Sequence, residues 1–78
     1  MTNQQISLLR TIAKAILESV RAAGSLGAPG GVMYAAMMEQ GCTLNQFEQI
    51  MSGMVKAGWL VRDGDLYTEG AQSHKLMA

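Results

Sequence analysis

The sequence predicts an α+β fold that is mostly α: three helices followed by a small β-hairpin. Three observations carry this expectation. Apolar residues recur at three- and four-residue steps over most of the chain, which is the helical period. Glycines stand where those stretches should end. Near the C-terminus, Arg62-Asp63-Gly64-Asp65 separates two β-prone runs, and Asp-Gly in that setting is a strong hairpin signal. With 78 residues the chain is expected to form one domain, residues 1–78, around a single small core.

Residues 4–23, QQISLLRTIAKAILESVRAA, make the first helix: helix formers dominate, no Pro or Gly interrupts, and Gly24 follows as a cap. At 100° per residue, Leu8, Leu9, Ile12, Ala13, Ile16, Leu17 and Val20 fill about half the circumference. That arc is wide enough to serve both the core and a second subunit. On the remaining face Arg10, Lys14 and Arg21 align, with Glu18 beside Lys14, a pattern expected of a solvated surface.

The connector Gly24 to Gly31, GSLGAPGG, invites a phosphate-loop reading, but no Lys-Ser or Lys-Thr follows the glycines and no strand feeds them. Leu26 to Ala28 is expected to pair with the hairpin as a short strand, and Pro29 to begin the next helix with its φ already set. Residues 31–40, GVMYAAMMEQ, form that helix, ended by Gly41. Val32, Met33, Ala36 and Met37 share one face; Tyr34 and Met38 lie on another. A helix apolar nearly all round is either buried or part of an interface, and methionine suits both roles. Tyr34 and Met38 therefore join Ile12 and Ile16 as candidate protein-interface residues.

The third helix spans residues 43–57. Thr43 followed three residues later by Gln46 is a capping-box pattern. Leu44, Phe47, Ile50, Met51, Met54 and Val55 gather on one face, expected to be core. The opposite face carries Asn45, Glu48, Gln49, Ser52 and Lys56, with Gly53 beside them: polar, nearly uncharged, and open to a partner. Gly58 closes the helix and Lys56 sits where its dipole favours a cation. Residues 59–68 form the hairpin, with Asp63-Gly64 expected in a type I′ turn. The tail, residues 69–78, either adds a helical turn through Leu76 and Met77 or frays.

Composition narrows the function. The formal net charge is zero, which removes the usual electrostatic footprint of a nucleic-acid binder at the level of the whole chain. A single cysteine, Cys42, excludes an internal disulfide, so the cytoplasm is the expected compartment. No apolar run approaches the roughly 20 residues of a membrane span, and MTNQQISLLR lacks the basic and apolar segments of a secretory signal. The one histidine, His74, lies in the tail, far from any nucleophile along the chain, so catalysis is not expected. One Cys and one His cannot build a structural zinc cluster, and Asp63-Gly64-Asp65 lacks the other ligands of a calcium loop. Neither a metal nor a cofactor is expected.

The order helix, short strand, helix, capped helix, hairpin is that of a winged helix-turn-helix. GCTLNQFEQIMSGMVKAGWLVRDGDLYT resembles the recognition-helix-plus-wing segment of small bacterial and phage winged-helix domains, including a helix that ends in Ala-Gly-aromatic-Leu. Tyr67-Thr68-Glu69-Gly70 is similar to the Tyr-x-Leu-Thr-x-x-Gly exit of transcription regulators of that class, in shortened form. The resemblance implies a DNA-binding transcriptional regulator with its third helix in the major groove. Asn45, Gln46, Gln49 and Ser52 would face bases, Lys56 and Arg62 would contact phosphates, and the first helix would make a homodimer. Glu48, Asp63 and Asp65 depart from that pattern. Together with the neutral charge they motivate an alternative: a phage- or plasmid-type accessory protein that uses the same face to bind a protein, for instance to inhibit a host complex.

Overall fold

The computed structural model describes residues 2–77, leaving aside the side chains of Leu8 and Met77. The places expected for Leu8 in the first-helix arc and for Met77 in the tail thus lie outside the described residues. Along the chain run α1 (Asn3–Ala23), a 3-10 turn (Gly24–Leu26), β1 (Ala28–Pro29), α2 (Gly30–Glu39), α3 (Leu44–Lys56), β2 (Leu60–Asp63), β3 (Leu66–Glu69) and α4 (Ser73–Met77). The fold is α+β and mostly helical, with one antiparallel sheet of order β1-β3-β2.

The helices start and stop on repeated local devices. Thr2 and Thr43 each accept, through the side-chain hydroxyl, from the N–H of the glutamine three residues on; Gln5 and Gln46 each accept, through the side-chain carbonyl, from the threonine N–H. Two otherwise orphaned donors are satisfied at each start. The Thr2 box moves the beginning of α1 one residue ahead of the expected position. At the other ends, Gly41 N–H donates to the Met38 carbonyl and Cys42 N–H to that of Met37, while Gly58 N–H donates to Val55 and Trp59 N–H to Met54. Both are Schellman closures, and both need the left-handed glycine, at φ 88° and 81°. The connection from α2 to α3 is therefore pinned on both sides.

Three expectations are corrected. First, the chain leaving α1 tightens into a 3-10 turn, so the short strand is Ala28–Pro29 rather than Leu26 to Ala28. Pro29 ends that strand and caps α2 with extended ψ 131° instead of opening the helix; on an edge strand its missing N–H is tolerated. Second, Asp63 pairs with Leu66, which makes Gly64 and Asp65 the central turn residues. Positive φ among the described residues occurs only at glycines, with Gly64 at 62°, so the turn has the sign pattern of type II′ rather than I′. Glycine at the first central position takes the left-handed conformation and spares Asp65.

Third, Leu44 is 50% exposed, because the first residue of α3 sits beyond the level at which Phe47, Met51 and Met54 enter the core. Of the two alternatives for the tail, the helical turn is the one that forms, as α4. β3 continues through Glu69, Gly70 N–H donates to the Trp59 carbonyl and Gln72 N–H to that of Gly58. This delivers α4 to α1, with Leu76 fully buried; burying a side chain of that size contributes about 1.5–3 kcal/mol. The described helices thus include α4 in addition to the expected three. The core joins Ala13, Ile16, Leu17 and Val20 of α1 to Met33, to Phe47, Met51 and Met54 of α3, and to Leu60 and Tyr67 of the hairpin. Among the described residues no helix is long and apolar enough to cross a membrane.

Candidate functional site

Because α3 turns Phe47, Met51 and Met54 inward, its other face is left exposed: Asn45, Glu48, Gln49, Ser52, Gly53 and Lys56. These six residues line a shallow open concavity of about 360 Å³. Asn45, Gln49, Ser52 and Lys56 follow one another at helical steps and form a single stripe. At 1.5 Å per residue the stripe is about 17 Å long. One cation, Lys56, and one anion, Glu48, leave the six-residue face formally neutral.

Gln46 does not join this stripe. Its Oε1 accepts from the Thr43 N–H at 2.9 Å, and its side chain borders a neighbouring groove. The third position of a capping box must fold back over the helix start, so the residue that caps α3 cannot also point away from it. Arg62 is exposed on β2, opposite Tyr67 across the hairpin. Its Nε donates to the Gly64 carbonyl at 2.8 Å, and its guanidinium carbon stands 5.8 Å from the Tyr67 ring centroid. Arg62 is thus folded over its own turn.

The basic row on α1 is also partly engaged. Arg21 Nη2 and Nε lie 2.7 and 2.8 Å from Glu69 Oε2, and the Ser73 hydroxyl donates to the same oxygen. The donors from Arg21 and then Ser73 hold the Glu69 carboxyl below its ordinary value of 4.5. This latch joins α1, the end of β3 and the start of α4, although the pair is exposed to solvent and screened accordingly.

The residues expected at a protein interface separate. Ile16 is only 2% exposed; α1 at that level is covered by the chain's own packing, so its side chain is core and not interface. Tyr34 is half-buried with its ring centroid 5.4 Å from that of Phe47, tilted by 52°, and so belongs to the α2–α3 contact. Met38 is exposed and Ile12 half-buried. The larger apolar surface runs along a groove between α1 and the α2–α3 pair that is lined by Ile6, Leu9, Met33 and Met37 together with Ile12, and also by Gln49 of the α3 stripe. Its sequence signal was available, since Ile6 stands three residues before Leu9 and extends the apolar arc of α1 toward the N-terminus.

Cys42 is a half-buried free thiol at the α2–α3 turn, and among the described residues no three His, Cys, Asp or Glu side chains are grouped as metal ligands would be. The chain was compared with protein-family models, with curated proteins and with solved structures, and no match was found in any of the three.

Proposed function

We propose that this chain is a small winged helix-turn-helix binding module that recognises DNA as a transcriptional regulator, with α3 presented to the major groove and the β2–β3 hairpin as the wing. The observation that carries this reading is the outward stripe Asn45, Gln49, Ser52 and Lys56 on α3, next in the chain to a β-hairpin. A major groove about 12 Å wide admits a helix, and Asn or Gln amides pair bidentately with adenine. Lys56 and Arg62 serve as phosphate contacts. Gln46, engaged in its cap, is left out of the base-facing set. A cytoplasmic location accords with this role.

A second reading has its own support. Glu48 lies beside the stripe on the same face of α3, Asp63 and Asp65 sit at the hairpin, Arg62 is turned onto Gly64, and Arg21 is held by Glu69. So few free cations favour a protein partner over a polyanion, as in an accessory protein of a phage or plasmid that docks on a host complex. Gel-shift titration against a pool of duplex DNA separates the two. On the DNA reading, Gln49→Ala relaxes sequence preference, while Arg62→Ala weakens binding to all duplexes and flattens the salt slope by about 1. The slope itself should be shallow, about −2 to −4 per subunit for two to four phosphate contacts. No shift of any duplex at about 50 mM salt, where electrostatic binding is strong, would discard the DNA reading and leave the protein partner.

A further inference from the structure

The three-stranded sheet has two faces, and the described elements cover only one. Residues paired across an antiparallel ladder share a face, and neighbours along a strand alternate. The register therefore puts Ala28, Leu60, Arg62, Tyr67 and Glu69 on one side, and Pro29, Val61, Asp63, Leu66 and Thr68 on the other. Ala28, Leu60 and Tyr67 are buried in the core. On a sheet with one face to water the outward positions are normally polar. Here the centre of the outward face is apolar, with Val61 51% and Leu66 41% exposed and Pro29 exposed beside them. Gly27 extends the patch: a Cβ there would lie 3.1 Å from Leu66 Cβ and 3.5 Å from Thr68 Cγ2, so the 3-10 turn abuts the same side of β3. The last residue of that turn, Leu26, is 84% exposed. Contiguous apolar surface left open in this way marks a place where something docks.

Charge selects the occupant. Asp63 ends the outward face, and Asp65 follows it at the turn; both are exposed. No cation shares that face. Arg62 lies on the opposite side, with its Nε on the Gly64 carbonyl and its guanidinium near the Tyr67 ring, and among the described residues the sole ion pair joins Arg21 to Glu69. An apolar centre with an acidic end repels nucleic-acid phosphates and an anionic bilayer, and a second copy of the same face brings no cation to meet the aspartates. A basic, apolar segment of another protein complements both features. The dimensions of the sheet set its form. Strands of four residues run about 13 Å, and three strands span about 10 Å from β1 to β2. One α-helix, ~10–12 Å across with its side chains, covers that area with about nine residues.

We infer that the outward face of the sheet docks an amphipathic helix of another protein, its apolar stripe on Leu26, Val61 and Leu66 and a Lys or Arg over Asp63 and Asp65. A patch of this size gives a transient complex rather than a permanent one. The outward sheet face and the α3 stripe share no residue, so the two surfaces can be occupied by different partners. The inference stands whether α3 reads DNA or a protein, and is tested without either.

The test is titration of the isotope-labelled full chain with two synthetic peptides of about 16 residues, long enough to be partly helical alone. Both carry Leu at i, i+3, i+4 and i+7; one ends that stripe in two Lys, the other in two Glu. At about 20 mM salt, where screening is weak, the Lys peptide is expected to saturate and to move the amides of Val61, Asp63, Leu66 and Thr68 most. The Glu peptide should bind at least about fivefold more weakly. Asp63→Lys, at an exposed position, should reverse that order. No saturable shift below about 1 mM Lys peptide, equal binding of the two peptides, or shifts centred on the α1 groove overturns the inference. So does movement of the same sheet amides with protein concentration alone, which makes a second copy the occupant, or on adding vesicles of anionic lipid. Should Asp63→Lys fail to fold, ionic strength decides with the wild type. Its Kd for the Lys peptide should rise at least about threefold between about 20 and about 500 mM salt, and an unchanged Kd would equally overturn the inference.

Discussion

Gly70 is the position where a single methyl group should do the most damage. A Cβ there would lie 2.2 Å from the Gly58 carbonyl oxygen and 2.8 Å from the carbonyl carbons of Gly58 and Trp59. All three neighbours are backbone, so no side chain can swing away, and the exit of β3 must move by more than about 1 Å to restore ordinary contact. That movement breaks into two hydrogen bonds of 2.9 Å, from Gly70 N–H to the Trp59 carbonyl and from Gln72 N–H to that of Gly58. Overpacking of this kind costs about 1–3 kcal/mol, and each lost bond about 0.5–1.5 kcal/mol. Gly70→Ala should therefore lose about 2–6 kcal/mol, a large share of the ~4–12 kcal/mol expected of a chain this size. Urea denaturation followed by fluorescence reads the change directly, because Trp59, the sole tryptophan, adjoins the contact. The melting temperature should fall by at least about 8 °C. A Gly70→Ala protein within about 1 kcal/mol of wild type would refute the reasoning that the end of β3 is clamped against Gly58 and Trp59.

Two further perturbations probe the site and the latch. Gly53→Ala places a methyl group in open space within α3 and should stabilise the fold by about 0.5–1 kcal/mol. The same variant should bind its partner more weakly if that partner approaches the helix backbone at Gly53; a stabilised protein with unchanged affinity would remove glycine from the recognition argument. At Glu69 the folded-state pKa is depressed, so its contribution to stability is present above 4.5 and is lost as pH falls through the lower folded value. Between about pH 5 and about pH 3, the urea midpoint of wild type should thus fall more steeply than that of Glu69→Gln. Parallel profiles would mean that the Arg21–Glu69–Ser73 contact does not stabilise the fold.

Much of the local structure is written in short patterns, and the tertiary consequences are not. Thr43-x-x-Gln46 marks the start of α3, and the same Thr-x-x-Gln stands at Thr2 and Gln5, where the apolar period beginning at Ile6 draws the eye past it. Gly41 and Gly58 end their helices because the closure needs a left-handed residue. The hairpin is equally legible, but its register is not: Asp63-Gly64 and Gly64-Asp65 are both plausible turn centres, and only pairing of Asp63 with Leu66 decides between them. Periodicity shows that α1 has a broad apolar arc, yet cannot say that Ile16 faces its own core while Ile6 and Leu9 face solvent. The Arg21–Glu69 contact spans 48 residues of sequence and leaves no local signal. Gln46 shows how two sequence roles compete for one side chain, and the backbone donor at Thr43 wins because it is nearer and always present.

The central claim, that the outer stripe of α3 is what this molecule presents to its partner, is tested most directly by chemical-shift mapping. The labelled full chain would be titrated with the duplex that it selects from a random pool. If no duplex is retained, the titrant becomes the protein that it captures from a host lysate. The account predicts that the backbone amides of Asn45, Gln49, Ser52 and Lys56 move most, with smaller changes at Arg62. Shifts concentrated on α2 or α4, with those α3 amides unmoved, would contradict it.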